Sequence, residues 1–465
     1  MNKESVKNII NNIAVRIHEA GGEAYFVGGY VRDAVMGRDN TDIDIEVHKI
    51  DPEELYSILG DFGTPVAFGR SFGIYSIKGT GIDIAMPRIE RATGSGHRDF
   101  EISVDPMLGT YNAAKRRDFT INSLMQNVLT GEVTDHFGGL DDIERRVIRH
   151  VDEDSFVEDS LRVLRAAQFA SRFEFEVDDE TVELCRSIDL STLSRERVEE
   201  ELKKALIKGV KPSIFFETLK EMDQLDYWFP ELKELIDLPQ DPVFHPEGDV
   251  WVHTMEVLDR GAEVRDRTSS PYAFMLLCLT HDLGKIITTD YIKGRYHAYE
   301  HETKGIPIIE RFLHRITNEK NVIKYVLNMA ALHMRPNILA YQKSSLKATN
   351  RMFDEAVSPE DLIYFAQADK PVVSGDEPFD GDCNFLRERL EEFERIMVQP
   401  YVTGADLIKE GLEPGEYFTD ALSYSHKLRL AGVDKQTTLK QTLAYIRKKI
   451  STDNRKKKQE GQDDR

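Results

Sequence analysis

The sequence predicts an α/β head followed by an all-α remainder, and three observations carry that prediction. The apolar run Ala24 to Val27 ends in Gly28-Gly29 and leads into a helix start from Tyr30 to Met36. From Asp42 to Val47 acidic and apolar residues alternate strictly, the period of a half-buried strand. Beyond Val157 the pattern changes to helical spacing.

In chain order, Val6, Ile9, Ile10, Ile13 and Ile17 recur at helical spacing and stop at Gly21-Gly22, so an amphipathic helix precedes the first strand. The Gly28-Gly29 turn lets backbone amides approach an anion closely, which makes it a phosphate cradle. A strand over Asp42 to Val47 places Asp42, Asp44 and Glu46 on one face and Ile43, Ile45 and Val47 on the other. Like charges side by side are costly unless a cation holds them. Magnesium takes oxygen ligands of this kind and shares them with phosphates, so the pairing points to phosphoryl transfer. Pro52 to Leu59 reads as a short helix, and Ile74 to Ile77 with Ile82 to Met86 as a hairpin around Gly79-Thr80-Gly81. Asp83 is either a third metal-facing carboxylate or an exposed strand residue. Arg88 to Asp105 lacks periodicity and reads as a long surface loop.

Arg116-Arg117-Asp118, with Asn122 four residues on, reads as a triphosphate clamp in which Asp118 and Asn122 fix the guanidinium forks or the ribose. Val157 to Phe173 reads as a helix with Val157, Leu161 and Leu164 on its apolar side and Glu158, Asp159, Arg162 and Arg165 on the opposite arc. Cytosine and adenine both offer an amino donor beside a ring-nitrogen acceptor, whereas uracil and guanine offer a carbonyl and an N–H. A carboxylate beside a guanidinium, as Asp159 beside Arg162, complements the first pair and leaves the second with unpaired polar groups. It therefore selects CTP and ATP without a nucleic-acid template.

These strings resemble the nucleotidyltransferase superfamily, in its class II branch of CCA-adding tRNA nucleotidyltransferases and bacterial poly(A) polymerases. The resemblance rests on Gly-Gly-x-Val-Arg-Asp at 28 to 33, Asp-x-Asp at 42 to 44, Arg-Arg-Asp-x-Thr-x-Asn-Ser at 116 to 123 and Glu-Asp-x-x-Arg-x-x-Arg at 158 to 165. Ser123 replaces the family's usual Ala, and Gln168 stands where some relatives have Arg. The string Ser-Arg-Glu-Arg-Val-Glu-Glu-Glu-Leu, from Ser194, is similar to the motif that braces the nucleotide helix. The resemblance implies a polymerase-β-like head in which Asp42 and Asp44 are catalytic and hold Mg2+. It implies that Gly28, Gly29, Arg32 and Arg117 hold the triphosphate and that Asp159, Arg162 and Arg165 read the base. The loop from Arg88 matches the flexible loop of enzymes that add A. The implied partners are tRNA, CTP and ATP.

Helical segments continue to about Leu238, and Pro239-Gln240-Asp241-Pro242 marks a boundary. Histidines then concentrate: His253, His281-Asp282 at the buried end of an apolar helix, His301 and His333, with Asp369 beyond. Imidazoles and carboxylates spread over successive helices fit a mixed site that suits a divalent transition metal. The pattern resembles the HD phosphohydrolase domain, which implies His253, His281, Asp282 and Asp369 as ligands, His301 and His333 as extra ligands of two-metal members, and Lys285 on substrate phosphate. A metal there lowers the pKa of bound water for phosphoester hydrolysis, for example of a 2',3'-cyclic phosphate at a tRNA end.

Lys+Arg of 61 against Asp+Glu of 82 gives a net charge of -21, which excludes broad polyanion coating and requires RNA to meet a local basic surface. Cys185, Cys278 and Cys383 lie far apart, without a disulfide framework or zinc ribbon, which fits a reducing cytoplasm. The N-terminus has no apolar signal core, and the apolar stretch near Ala273 to Leu279 is too short to span a membrane. The expected divisions are a head over 1–150, a neck and body over 151–238, an HD domain over 239–395, a helical region over 396–450 and a disordered basic and polar tail over 451–465. The favoured expectation is CCA addition to tRNA 3' ends with pyrophosphate release. Its rivals are an A-adding enzyme or poly(A) polymerase, an HD hydrolase with an inactive transferase head, and a non-enzymatic tRNA-binding scaffold.

Overall fold

The computed structural model describes residues 3–40, 42–67, 73–80, 82–92, 100–370 and 380–463. The chain forms two compact units, Met1–Lys233 and Glu234–Arg465, so its main division falls a few residues before the predicted proline-rich boundary.

In the first unit the helix Lys3–Glu19 buries Ile10, Ile13 and Ile17 against a sheet core, with Val6 and Ile9 partly covered at its edge. The strands are β1 (Glu23–Val27), β2 (Asp44–His48), β3 (Pro65–Ala67), β4 (Ile74–Ile77), β5 (Asp83–Ala85), β6 (Arg88–Ala92), β7 (Phe100–Val104), β8 (Met125–Asn127) and β9 (Val133–Thr134). Seven of them form one sheet in the order β3-β4-β5-β2-β1-β8-β9. Its neighbours are antiparallel except β2 and β5, which run parallel and bring Asp44 opposite Asp83.

Three expectations need correction here. First, β2 begins at Asp44, two residues later than the alternation predicts. The Asp42 amide donates to the Asn40 side chain at 2.8 Å instead of joining the ladder, and Thr41 lies outside the described residues. Ile43, Ile45 and Val47 are buried as the period requires, but Glu46 is buried too. Second, the segment from Arg88 read as a loop contains the antiparallel pair β6 and β7, with Arg88 opposite Val104 and Ala92 opposite Phe100. In β7 Phe100, Ile102 and Val104 alternate with Glu101 and Ser103, a strand period that the loop reading passed over, while the Arg- and Gly-rich stretch before it carries none. Residues 93–99 of the predicted loop, and Gly81 of the hairpin turn, lie outside the described residues.

Third, the helix expected over Val157 to Phe173 begins only at Leu161; a separate short helix, Glu153–Phe156, precedes it, and Val157 between them is exposed. Asp152 caps the first piece by accepting from the Ser155 amide. Asp159 Oδ1 accepts from the Leu161 amide at 3.1 Å, a local bond that competes with helical continuation. The helices Leu161–Phe173, Arg195–Lys208 and Ser213–Glu221 then bury Val163, Leu164, Leu202, Phe215 and Phe216.

The second unit is helical apart from a small antiparallel hairpin, Thr289–Ile292 with Arg295–Ala298. Its centre is the helix Pro271–Thr280, buried at every position from Tyr272 to Thr280. Gly284 and Gly305 let two segments touch: a Cβ on Gly284 would lie 2.1 Å from the His301 carbonyl oxygen and 2.9 Å from the Gly305 Cα. Near the C-terminus Val402, Leu407, Ala421, Leu443 and Ile446 form a small core. The tail expected to be disordered continues the helix Lys435–Asp463, because its Lys-, Arg- and Gln-rich composition is also compatible with helix. Among the described residues no helix is long and apolar enough to cross a membrane.

Candidate functional site

In the first unit Gly28 joins β1 to the short helix Gly29–Val35 at φ +62°, a left-handed conformation that favours glycine. A Cβ there would stand 3.1 Å from Arg117 Nη1, so the turn and this guanidinium share one small space. At the start of the neighbouring strands β2 and β5, Asp42, Asp44 and Asp83 are exposed. Partial desolvation raises the Asp44 carboxyl above its ordinary pKa, Asp42 and Asp83 raise it further, and Arg117 opposes them. Three neighbouring carboxylates, with oxygen-only donors, fit a hard divalent cation. Asp83 thus joins the predicted pair.

Glu46, one pleat along, takes a different part. Its Oε1 lies 3.0 Å from His48 Nε2, while Oε2 lies 3.3 Å from Arg117 Nη2 and 3.6 Å from Arg116 Nη2. Burial disfavours its charge, but His48 and the two arginines hold its pKa down at about 2. Glu46 therefore anchors Arg117 beside the glycine turn.

Arg32 is placed differently from a free triphosphate fork. It is buried, with Nε and Nη2 donating to Asp33 Oδ1 at 2.8 and 2.6 Å and Nη1 to Asn122 Oδ1 at 2.5 Å. Its guanidinium packs over Phe169 and Phe173. Asn122 in turn donates to Asp118 Oδ1, and Arg165 grips Asp118 Oδ2 through Nε and Nη2 at 2.8 and 2.6 Å. This chain of bonds ties the glycine turn to the helix Leu161–Phe173.

Asp159 and Arg162 are not paired side by side. Both Asp159 oxygens accept from Arg197 Nη2 at 2.9 Å, whereas Arg162 donates to the Ser155 and Arg116 carbonyls at 2.6 and 2.7 Å. Glu46 and Arg197 are the residues that sequence reasoning left out of this site. Arg197 sits in the string beginning at Ser194 that was read as bracing, and Glu46 continues the acidic alternation. Each had a visible signal, but neither had a partner assigned to it.

In the second unit the predicted residues converge. His253 Nε2 lies 3.2 Å from Asp369 Oδ1 and 3.5 Å from Asp282 Oδ2. His281 Nε2 lies 3.2 Å from Asp282 Oδ2 and 3.3 Å from Asp369 Oδ1, yet is aligned to hydrogen-bond neither. On the other side of Asp282, Oδ1 lies 3.2 Å from His301 Nε2 and 3.9 Å from His333 Nε2. The ligand atoms of His253, His281 and Asp369 lie within 4.8 Å of one another, as do those of Asp282, His301 and His333.

The electrostatics call for positive charge. Burial would raise the carboxyls of Asp282 and Asp369, but Lys285, His281 and His301 hold Asp282, and His253 and His281 hold Asp369, well below the usual range. Burial lowers His281, but Asp282 and Asp369 outweigh it and raise its pKa to about 10. His333 falls to about 3 through burial and the nearby His281 and His301. Buried carboxylates ringed by inward-facing Nε2 atoms fit one or two divalent cations. Lys285 Nζ lies 2.7 Å from Asp282 Oδ2 and donates to Gln240 Oε1 at 2.9 Å, so Asp282 occupies it in this structure. The cluster opens on a cavity of about 1240 Å³.

Families known from other proteins match in three segments. The Poly A polymerase head domain matches residues 24–149, the probable RNA and SrmB-binding site of polymerase A residues 174–236, and the HD domain residues 250–370. Among solved structures, a Thermotoga maritima CCA-adding enzyme complexed with tRNA superposes with a TM-score of 0.65 at 21% identity, over 96% of each chain. A Bacillus stearothermophilus CCA-adding enzyme in complex with CTP gives 0.64 at 21% identity, over 98% of this chain and 100% of that one. At that identity the two establish a shared fold. Curated relatives are nearer in sequence: the Multifunctional CCA protein of Stenotrophomonas maltophilia strain K279a is 38% identical over 299 residues, 63% of this chain and 71% of its own. That of Alkalilimnicola ehrlichii is 32% identical over 397 residues, 82% of this chain and 92% of its own. The carboxylates at the start of β2 and β5, the arginine network and the histidine cluster thus lie in a chain that belongs to the multifunctional CCA protein family.

Proposed function

We propose that this protein adds C and A nucleotides to the 3' ends of tRNA in the cytoplasm, without a nucleic-acid template, using CTP and ATP and releasing pyrophosphate. The observation that carries the reading is the gathering of Asp42, Asp44 and Asp83 at the start of β2 and β5, with Arg117 acting on Asp44 and lying against the Gly28 turn. Asp42 and Asp44, with Asp83 beside Asp44, would hold Mg2+, which supplies charge stabilisation for the triphosphate and for the attacking 3'-hydroxyl. Gly28 and Gly29 offer backbone amides to the phosphates, and Arg117, anchored by Glu46, neutralises them. Arg32 acts from beneath, fixing the turn through Asp33 and Asn122.

Asp159 accepts from the amino group of cytosine or adenine while Arg162 donates to the ring nitrogen. Base reading therefore exchanges the bonds that Asp159 makes to Arg197, and that Arg162 makes to two carbonyls, for bonds to the base. Arg165 holds the reading helix in place through Asp118. Purified protein, tRNA lacking CCA, and CTP with ATP test the reading: CCA is the expected product, and extension by A alone rejects it.

The second unit is proposed to hydrolyse phosphoesters, such as a cyclic phosphate at an RNA end. His253, His281 and Asp369 would hold one divalent transition metal and His301 and His333 a second, with Asp282 between them. Such ions supply an activated water. Lys285 and the cavity receive the phosphate. The test is hydrolysis of phosphodiesters and phosphomonoesters with added nickel, cobalt, manganese or magnesium, and intact substrates under all four reject it.

A further inference from the structure

The four histidines at the centre of the cluster are not held alike. His281, His301 and His333 each direct Nδ1 at the backbone carbonyl three residues earlier, those of Cys278, Ala298 and Ala330, at 3.0, 2.8 and 2.7 Å. A carbonyl oxygen only accepts, so each ring carries a proton on Nδ1 and turns Nε2 to the centre. His253 departs from the pattern. Its Nδ1 meets the Glu247 Oε1 at 2.7 Å, and Glu247 is itself buried, with 5% of its side chain exposed. The same oxygen lies 3.0 Å from His245 Nδ1.

From this asymmetry we infer that Glu247 is a positioning residue that strengthens one of two metal positions, the one served by His253, over the other. The inference rests on the reading of the cluster as a metal centre. A carboxylate behind an imidazole fixes its tautomer and makes it a stronger donor than a neutral carbonyl does, and loss of such a partner typically weakens metal binding about 10–100-fold. Among the described residues the position served by His301 and His333 has no hydrogen-bonded carboxylate behind it: both rings rest on backbone carbonyls, and Glu302 Oε2 stands 3.9 Å from His301 Nδ1, beyond hydrogen-bond reach. His245 completes the support from the cavity side, where it is partly exposed.

The sequence contains the signal in His245-Pro246-Glu247, six residues ahead of His253 and just before Asp249, which caps the helix Val250–Val264.

The experiment titrates the full-length, metal-stripped chain with Co2+ alone, following heat and the visible absorption of the bound ion. Wild type is expected to take two ions. Glu247→Ala is expected to weaken one of them about 10–100-fold, change that ion's absorption bands, and leave the other as it was. Glu247→Gln keeps an acceptor oxygen without the charge and falls between the two. Wild-type amide hydrogen-exchange protection of the buried helix Pro271–Thr280 in each variant shows that the second unit is folded. Two ions bound by Glu247→Ala with wild-type affinities, or an equal loss at both, overturns the inference. Three ions in wild type and two in Glu247→Ala would make Glu247 a ligand, which overturns it as well. Wild type binding no ion removes the metal reading and the inference together, a result distinct from all of these.

Discussion

Glu46→Gln removes a charge from the interior of the head while keeping the side chain's size. The folded protein holds the Glu46 carboxyl at about 2, against an ordinary value of 4.5, because His48 and two arginines outweigh the cost of burial. A group whose folded pKa is depressed contributes stability that is fully present above its unfolded value and is lost as pH falls through its folded value. The window is therefore from about 4.5 down to about 2. The difference of some 2.5 pKa units corresponds to roughly 3 kcal/mol at pH 7. Hydrogen exchange of the β2 amides, measured on wild type and Glu46→Gln from pH 7 to pH 3, reads this directly as opening free energy. The account predicts a deficit of about 3 kcal/mol in the variant at pH 7 that shrinks steadily below pH 4.5. A second readout is the KM for CTP, which is expected to rise because Arg117 loses the partner that holds it beside Gly28. Equal opening energies at pH 7, or a deficit unchanged by acid, would refute the reasoning.

Asp118→Asn leaves Arg165 without its bidentate partner and is expected to destabilise the first unit by about 3 kcal/mol, seen as a lowered unfolding midpoint. An unchanged midpoint would mean that Asp118 and Arg165 are not coupled as described. Gly284→Ala inserts a methyl group 2.1 Å from the His301 carbonyl and is expected to cost Co2+ binding at the His301 and His333 position, checked by titration. Metal binding to the cluster is expected to release a proton at pH 7, because His281, at about 10, is protonated there and must give up its proton to become a ligand. Affinity should then rise with pH up to about 10, and titrations in buffers of different ionisation enthalpy count the proton; no proton released contradicts this.

Much of the site was legible because its chemistry lies in short strings. Gly28-Gly29, Asp42-x-Asp44 and His281-Asp282 each place their groups through local geometry: a turn, a pleat and a helix end. What stayed hidden depends on partners far along the chain. The alternation that put Glu46 beside Asp44 cannot say that Arg116, Arg117 and His48 would bury it. The helical pattern from Val157 missed the break before Leu161, because a capping bond from Asp159 is worth as much locally as another turn of helix. Arg197, 38 residues beyond Asp159, has no sequence feature that announces its partner. The β6 and β7 hairpin is a different case: Phe100-Glu101-Ile102-Ser103-Val104 alternates as a strand should, but its partner Arg88-Ile89-Glu90-Arg91-Ala92 carries only a weak pattern, so the pair reads as a loop.

The central claim is that acidic side chains at the start of β2 and β5 serve nucleotide transfer while Asp159 and Arg162 choose the base. Sequencing the products of wild type, Asp44→Ala and Asp159→Ala on tRNA lacking CCA, with all four nucleoside triphosphates present, addresses both halves at once. The account predicts CCA from wild type, no extension from Asp44→Ala, and incorporation of U or G from Asp159→Ala. Extension by Asp44→Ala, or unaltered C and A choice by Asp159→Ala, would contradict it.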